Sequence, residues 1–279
     1  GRWRVYANDP ATSRVGNLNF DFKEYGKTYG QTLDGETALG STTNAVVFAQ
    51  QPSLSVPSGL WDNKDYDGTD ALSSYGQSQA AITGLVDGDL LDATVKFATY
   101  HADPTYSGTN NIEMTIGSGG VTSSVATGRK PVFGYLNQPT AGTTTVVGQG
   151  QINPFNLQLD LSGTVTKVYD GTDAAPAGYT PQFVVPSWAT AAPDAGLTFD
   201  TSQVSGAFWS ESWGWPSSQT GLVTGHSSGN GAQFFMTSGQ ISLNVPQGAR
   251  YQATDYSVQI NNNYVPGTIT ARPIVAGLT

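Results

Sequence analysis

Leu157, Leu159 and Leu161 in the stretch LQLDLSG alternate with polar neighbours, so an extended backbone puts all three leucines on one face. QISLNV repeats the pattern with Ile241, Leu243 and Val245, and YSVQI repeats it with Tyr256, Val258 and Ile260. Short alternations of this kind predict half-buried strands. Clusters of Gly, Pro, Asn and Ser separate them, as turns separate the strands of an all-β chain. Helical spacing is scarce: DALSSYGQSQAAI is the one modest candidate, and Gly76 weakens it. The expected fold class is all-β, as tandem β-sandwich modules of immunoglobulin-like type, with a β-grasp-like variant as the alternative.

The chain also repeats itself. KDYDGTDAL at 64–72 returns as KVYDGTDAA at 167–175, 103 residues later. Upstream, SGLWDN at 58–63 stands where SGTVT stands at 162–166. Downstream, FGYLNQ with Tyr135, then Gly150 and Ile152, resembles TDYSVQ with Tyr256, then Gly267 and Ile269. The copies share a beginning and an end and differ in the middle. The organisation this suggests is an N-terminal strand-rich segment over 1–51, a first module over 52–154, and a second over 155–279 with an aromatic insertion at 206–235. The N-terminal segment carries Trp3, Tyr6, Phe20, Phe22, Tyr25 and Tyr29, enough aromatic surface to pack against the first module or to cap something upstream.

NKDYDGTDAL, residues 63–72, has the look of a calcium loop, with Asn63, Asp65 and Asp67 alternating before Gly68. The second copy argues against it, because Asn63 and Asp65 become Thr166 and Val168 there. The first copy also has Ser74 where a closing bidentate Glu would stand. What the copies keep is Tyr66, Asp67, Gly68 and Thr69, and Tyr169, Asp170, Gly171 and Thr172. A D-G pair between apolar stretches is a turn signal, with Gly at positive φ and Asp bonding nearby amides. Both copies are expected to be structural turns, with a weakly bound cation as the alternative. Asp87, Asp89 and Asp92 in DGDLLD are read the same way.

Composition narrows the function classes. At 279 residues, two domains or three small ones are expected. A chain 38% hydrophobic and 11% aromatic is not disordered, and low charge with abundant Thr and Tyr suits strands. A net charge of −9 repels phosphate backbones, so nucleic acid is not an expected partner, and anionic membrane surfaces are disfavoured. The absence of cysteine removes disulfides, thiolate metal sites and cysteine nucleophiles. The two histidines, His101 and His226, cannot build a histidine metal cage. No apolar run is long enough to span a bilayer, so membrane insertion is not expected. The chain opens on GRWRVYANDP without Met or a signal-peptide pattern, the expectation for a mature form or for a piece cut from a longer protein.

GRWRVYANDP and FDFKEYGKTYG, followed by KDYDGTDA, ITGLVDGD and KVYDGTDA, resemble the C-terminal region of filamentous-haemagglutinin-type adhesins, large bacterial proteins exported by two-partner secretion. In that family a GRW-x-VY segment precedes tandem modules named for their Y-D-G motif, each closing on an N-Y-x-L strand and a T-I-T strand. Here Tyr66 to Thr69 and Tyr169 to Thr172 match the motif, GYLNQ and DYSVQI resemble the first closing strand, and GTITARPI at 267–274 matches the second. The match is dense only at the module ends, and both modules are longer than usual. The resemblance implies an extracellular or cell-surface adhesion protein, an outer-membrane transporter as export partner, and attachment to cells or biofilm polysaccharide. Members of the family differ: some bind glycans, and others contribute only stalk.

The middle of the second module departs from that family pattern. Trp209, Trp213 and Trp215 share parity, so an extended segment projects all three to one face, beside Glu211 and upstream of His226. Such a platform suits the apolar faces of sugar rings, with Glu211 and His226 bonding hydroxyls, and marks these five residues as candidate glycan ligands. The same alternation fits a half-buried core strand, since Trp fills cores well. Catalysis is not expected: hydrolysis needs a second carboxylate opposite Glu211, and no G-x-S-x-G elbow or phosphate-binding loop occurs. No cofactor is implied.

Overall fold

The computed structural model describes all residues except 14, 17, 104, 106–109, 125–127, 169, 171, 173, 211–228, 239–240 and 271–279. The chain is all-β in character, 44% strand against 7% helix, in several sheets. It divides into two compact units, residues 1–64 with 69–152, and residues 65–68 with 153–279.

The first unit contains β1 (Arg4–Ala7), β2 (Phe22–Tyr25), helix α1 (Asp34–Leu39), β3 (Ala45–Phe48), β4 (Leu60–Asp65), helix α2 (Ser74–Gln79), β5 (Asp89–Phe97), β6 (Asn110–Ser123), β7 (Lys130–Phe133) and β8 (Thr144–Asn153). Its sheet runs β1-β3-β2-β7-β6-β8-β4, with β5 also paired to β6. The β1–β3, β3–β2 and β2–β7 pairs are parallel, whereas β6 runs antiparallel to β5, β7 and β8. Parallel strands are usually covered on both faces, and β2 and β3 are buried at every position. Phe22, Ala45 and Val47 pack with Leu33 in one cluster. Tyr25, Val46 and Phe48 join Phe20, Val121, Val132 and Tyr135 in another. Residues 1–51, set apart in the sequence reading, thus supply three strands and both clusters' central aromatics to the same unit as residues 69–152.

Two short helices complete this unit. α2 lies within the stretch singled out for helical spacing, capped by Ser73 Oγ, which accepts from the Gly76 amide at 3.2 Å. Gly76 is required there, because a Cβ would come within 2.5 Å of the buried Asp62 carboxylate. α1 carries no comparable signal, because Leu33 at its N-cap has no side-chain acceptor to offer. Its cap comes from β2: Glu24 accepts from the amides of Asp34 at 2.9 Å and Gly35 at 3.1 Å, supplying acceptors the helix start lacks.

The second unit holds β9 (Phe155–Ser162), β10 (Val165–Val168), β11 (Gln182–Val184), β12 (Thr198–Asp200), β13 (Ser205–Ser210), β14 (Gly229–Ser238), β15 (Ser242–Asn244), β16 (Tyr256–Asn262) and β17 (Tyr264–Thr270). Leu157, Leu159 and Leu161 are buried along β9, which pairs parallel with β16 and antiparallel with β11. A second sheet runs β10-β17-β14-β13, with β10 parallel to β17. Leu161, Val165, Phe234, Val265 and Ile269 form the core between these strands. Leu243 is buried in β15, opposite Phe199 of β12.

Candidate functional site

Among the described residues, four polar side chains and Asp89 itself meet at the start of β5. On β2, side chains alternate, so Phe22 and Glu24 serve α1 while Lys23 and Tyr25 point to the other face. There Lys23 Nζ stands 2.7 Å from Asp89 Oδ1, and both side chains are fully buried. The Tyr25 hydroxyl donates to Asp89 Oδ2 at 2.6 Å, and the Tyr135 hydroxyl donates to the same oxygen at 2.9 Å. Lys23 Nζ also donates to the Asp87 carboxylate at 2.8 Å and to its backbone carbonyl at 3.1 Å. Asp87 reaches this position with φ at +49°, in the left-handed region that costs a non-glycine residue energy.

Burial dominates the electrostatics of this cluster. It pushes the Asp89 carboxyl above the usual carboxylate range, against the opposing charge of Lys23 and the hydrogen bonds it accepts. Burial, followed by the Asp89 charge, drives the Tyr25 and Tyr135 hydroxyls well above the ordinary tyrosine range.

The second unit repeats part of this arrangement. Asp194 Oδ2 accepts from the Tyr66 hydroxyl at 2.8 Å and from the Tyr256 hydroxyl at 2.7 Å, and the two rings meet edge to face. Both hydroxyls are pushed up, first by burial and then by the bond to Asp194. The single lysine of that unit, Lys167, is engaged elsewhere.

The lysines of the repeated motif have a shared task. Lys64 Nζ donates to the Thr69 carbonyl (2.8 Å), Thr69 Oγ1 (3.2 Å) and the Ala71 carbonyl (2.9 Å). Lys167 Nζ makes the same three bonds to Thr172 and Ala174, at 3.0, 3.2 and 2.9 Å. Each lysine thus bonds two carbonyls that follow it in the chain, those of Thr69 and Ala71 in the first copy and of Thr172 and Ala174 in the second. In the second copy Asp170 adds an ion pair to Lys167 at 2.9 Å and accepts from the Thr172 amide and hydroxyl. Those bonds, led by the one from Lys167, hold its carboxyl down to about 2. Gly68 takes φ +74°, as its turn requires.

The acidic side chains of the first motif go to separate partners. Asp65 accepts from Asn153 at 3.2 Å, and Asp70 pairs with Lys96 at 2.5 Å. Asp92 occupies an irregularity between β5 and β6 and lies over Gly117, where a Cβ would meet its carboxylate at 2.0 Å. Among the described residues no three His, Asp or Glu side chains are grouped to hold a metal ion.

Of the candidate glycan ligands, Trp209 lies on β13, opposite Gln233 of β14. Glu211, Trp213, Trp215 and His226 lie outside the described residues, as do Tyr169 and Gly171 of the second turn. An open groove of about 460 Å³, with Ser242 among the apolar side chains of Ile241, Leu243, Val258 and Ile260, lies in the second unit.

Sequence reasoning assigned no role to Lys23 or Asp194, counted Tyr25 only as packing surface, and read Asp87 and Asp89 as turn acids with a weakly bound cation as the alternative. A signal for Lys23 and Tyr25 exists: Lys23-Glu24-Tyr25 repeats the K-x-Y of Lys64-Asp65-Tyr66 and Lys167-Val168-Tyr169. The missing Asp-Gly after Tyr25 conceals it. Comparisons with protein-family models, with curated proteins and with solved structures give no match.

Proposed function

We propose that the chain is an extracellular segment of a large bacterial surface adhesin of the filamentous-haemagglutinin type, exported through a two-partner outer-membrane transporter. It contributes tandem β modules to attachment on cells or biofilm polysaccharide. The observation that carries this reading is the twice-built clamp of Lys64 on Thr69 and Ala71, and of Lys167 on Thr172 and Ala174. It gives the lysine and threonine that flank the Y-D-G motif, the core of the resemblance, the same task in both copies. The parallel pairing of β9 with β16 and of β10 with β17 favours a β-grasp-like module over an immunoglobulin-like sandwich, whose strands pair antiparallel.

Ligand contact is assigned to the insertion at 206–235, with Trp209, Trp213 and Trp215 stacking on sugar rings and Glu211 and His226 bonding hydroxyls. A stalk without ligand is the second reading. It is favoured by the way the conspicuous motif residues are engaged within the fold, Lys64 and Lys167 on turns and Tyr66 on Asp194.

A screen of glycans and bacterial exopolysaccharides against the whole chain, with Trp213→Ala alongside, separates the two. Binding that disappears in a folded Trp213→Ala variant supports the adhesive insertion, and silence across the screen supports the stalk. Fluorescence quenching must be read as a difference between the two proteins, because Trp61 and Trp188 are already 52% and 62% exposed.

A further inference from the structure

A lysine and a carboxyl group held in contact, out of water, are the two reactants of an amide. We propose that Lys23 and Asp89 become joined by an intramolecular amide bond, formed by the chain itself with loss of one water, and that Asp87 carries the proton in that step. The bond ties β2 to the start of β5, 66 residues along the chain.

Three observations support it. First, Lys23 Nζ and Asp89 Oδ1 are 2.7 Å apart, and neither side chain is exposed. In water the separated ions are favoured over the amide because hydration stabilises both charges. Burial withdraws that hydration, and one proton moving along the hydrogen bond gives the amine and acid that can react. Burial also holds Asp89 above the usual carboxylate range, toward the acid form an amine attacks.

Second, Asp89 Oδ2 already accepts two tyrosine hydroxyls, at 2.6 and 2.9 Å. Negative charge develops on that oxygen when nitrogen adds to Cγ, and donors placed there beforehand lower the barrier. Third, Asp87 bonds the same ammonium from the other side and is the most exposed of the three charged groups, at 9%. Its positive φ brings both its carbonyl and its carboxylate onto Nζ.

The step balances. The Nζ lone pair forms the C–N bond, and the Cγ–Oδ1 bond breaks. Of the three ammonium protons one stays on the amide nitrogen, and two pass to Oδ1, which leaves as water. Asp87 takes a proton from nitrogen, delivers it to Oδ1 and ends unchanged. Nothing is oxidised or reduced. The second unit is a natural control: Asp194 has the two tyrosines, but the unit's single lysine is bound to Thr172, Ala174 and Asp170.

Intact mass of the folded full chain is the test. The expected value is one water below the sequence mass, with trypsin failing to cut after Lys23 and releasing residues 15–27 joined to 65–96. Lys23→Arg, which keeps the positive charge, and Asp87→Gly, which suits the positive φ and keeps the backbone carbonyl, should both show the full sequence mass while folded by circular dichroism. Full mass in the unaltered chain overturns the proposal. So does a missing water with Lys23 cleaved normally, since that marks ring closure at an Asp-Gly pair such as Asp67-Gly68 or Asp87-Gly88 instead. A branched peptide that persists in Asp87→Gly removes Asp87 as the proton carrier.

Discussion

Tyr66→Phe removes one hydroxyl and leaves the ring, its edge-to-face contact with Tyr256 and the second donor to Asp194 in place. A hydrogen bond to a carboxylate contributes about 1.5–3 kcal/mol. Asp194 is only half-buried, so screening by solvent brings the expected loss at neutral pH to about 1–1.5 kcal/mol. The sign changes at high pH. The folded state raises the Tyr66 pKa, so its contribution is complete below the unfolded value of about 10 and is lost as pH rises toward the folded value. Over that range the unfolded chain releases a proton that the native chain holds, which costs the unaltered protein about 1.4 kcal/mol per pH unit. The variant has no such proton. Its stability deficit should therefore close at roughly one unit above the free tyrosine pKa, near pH ~11, and reverse beyond it. Urea unfolding of both proteins between neutral and strongly alkaline pH, followed by circular dichroism, measures the difference directly. Two parallel stability curves that never cross would refute the argument that burial holds the proton on Tyr66.

Other residues allow sharper comparisons. Lys167→Met should destabilise the second unit by about 2–3 kcal/mol, because Lys167 is buried, while Lys64→Met should cost about 1 kcal/mol at a half-exposed site; denaturant midpoints of the two variants check the ranking. The Asp170 carboxyl should titrate at about 2 by NMR. In Lys167→Met it should move up toward the ordinary aspartate value, and an unchanged titration would show that Lys167 is not its main partner. Gly150→Ala should cost about 3 kcal/mol, since its Cβ would lie 2.3 Å from the Asp62 carbonyl oxygen and 2.8 Å from the Phe97 ring. Gly142→Ala, with φ +75° and open space around it, should cost about 1 kcal/mol, and equal thermal shifts would contradict the distinction.

The strands most visible in the sequence are those with one wet face. β9 announces itself because Leu157, Leu159 and Leu161 alternate with residues that stay out of the core. β2 is hidden for the opposite reason. Lys23 and Glu24 argue for an exposed position, yet both are fully buried, because their charges meet partners elsewhere in the chain. Lys23 is paired by Asp87 and Asp89, and Glu24 by backbone amides at the start of α1. The K-x-Y repeat marks Lys23 and Tyr25, but no local pattern names the distant partners that bury them. The two copies of the Y-D-G motif led to the expectation of a turn, but nothing in them made the preceding lysine legible as a clamp. One donor and three acceptors must be placed in space before that geometry is visible. Tyr66 was legible only as a turn residue, since Asp194 lies 128 residues away.

The division of residues 65–68 from their neighbours has a consequence for how such a chain grows. Lys64 closes its turn within the first unit, while Tyr66, two residues on, packs within the second. The segment copied in the sequence and the segment that folds are therefore out of phase. Cutting the chain at Asn153, where the motif copies suggest a clean edge, would deprive the second unit of Tyr66 and leave Asp194 with one hydroxyl instead of two. The second unit takes part of its interior from the motif copied before it, so removing residues 65–68 together with the first unit should weaken the second.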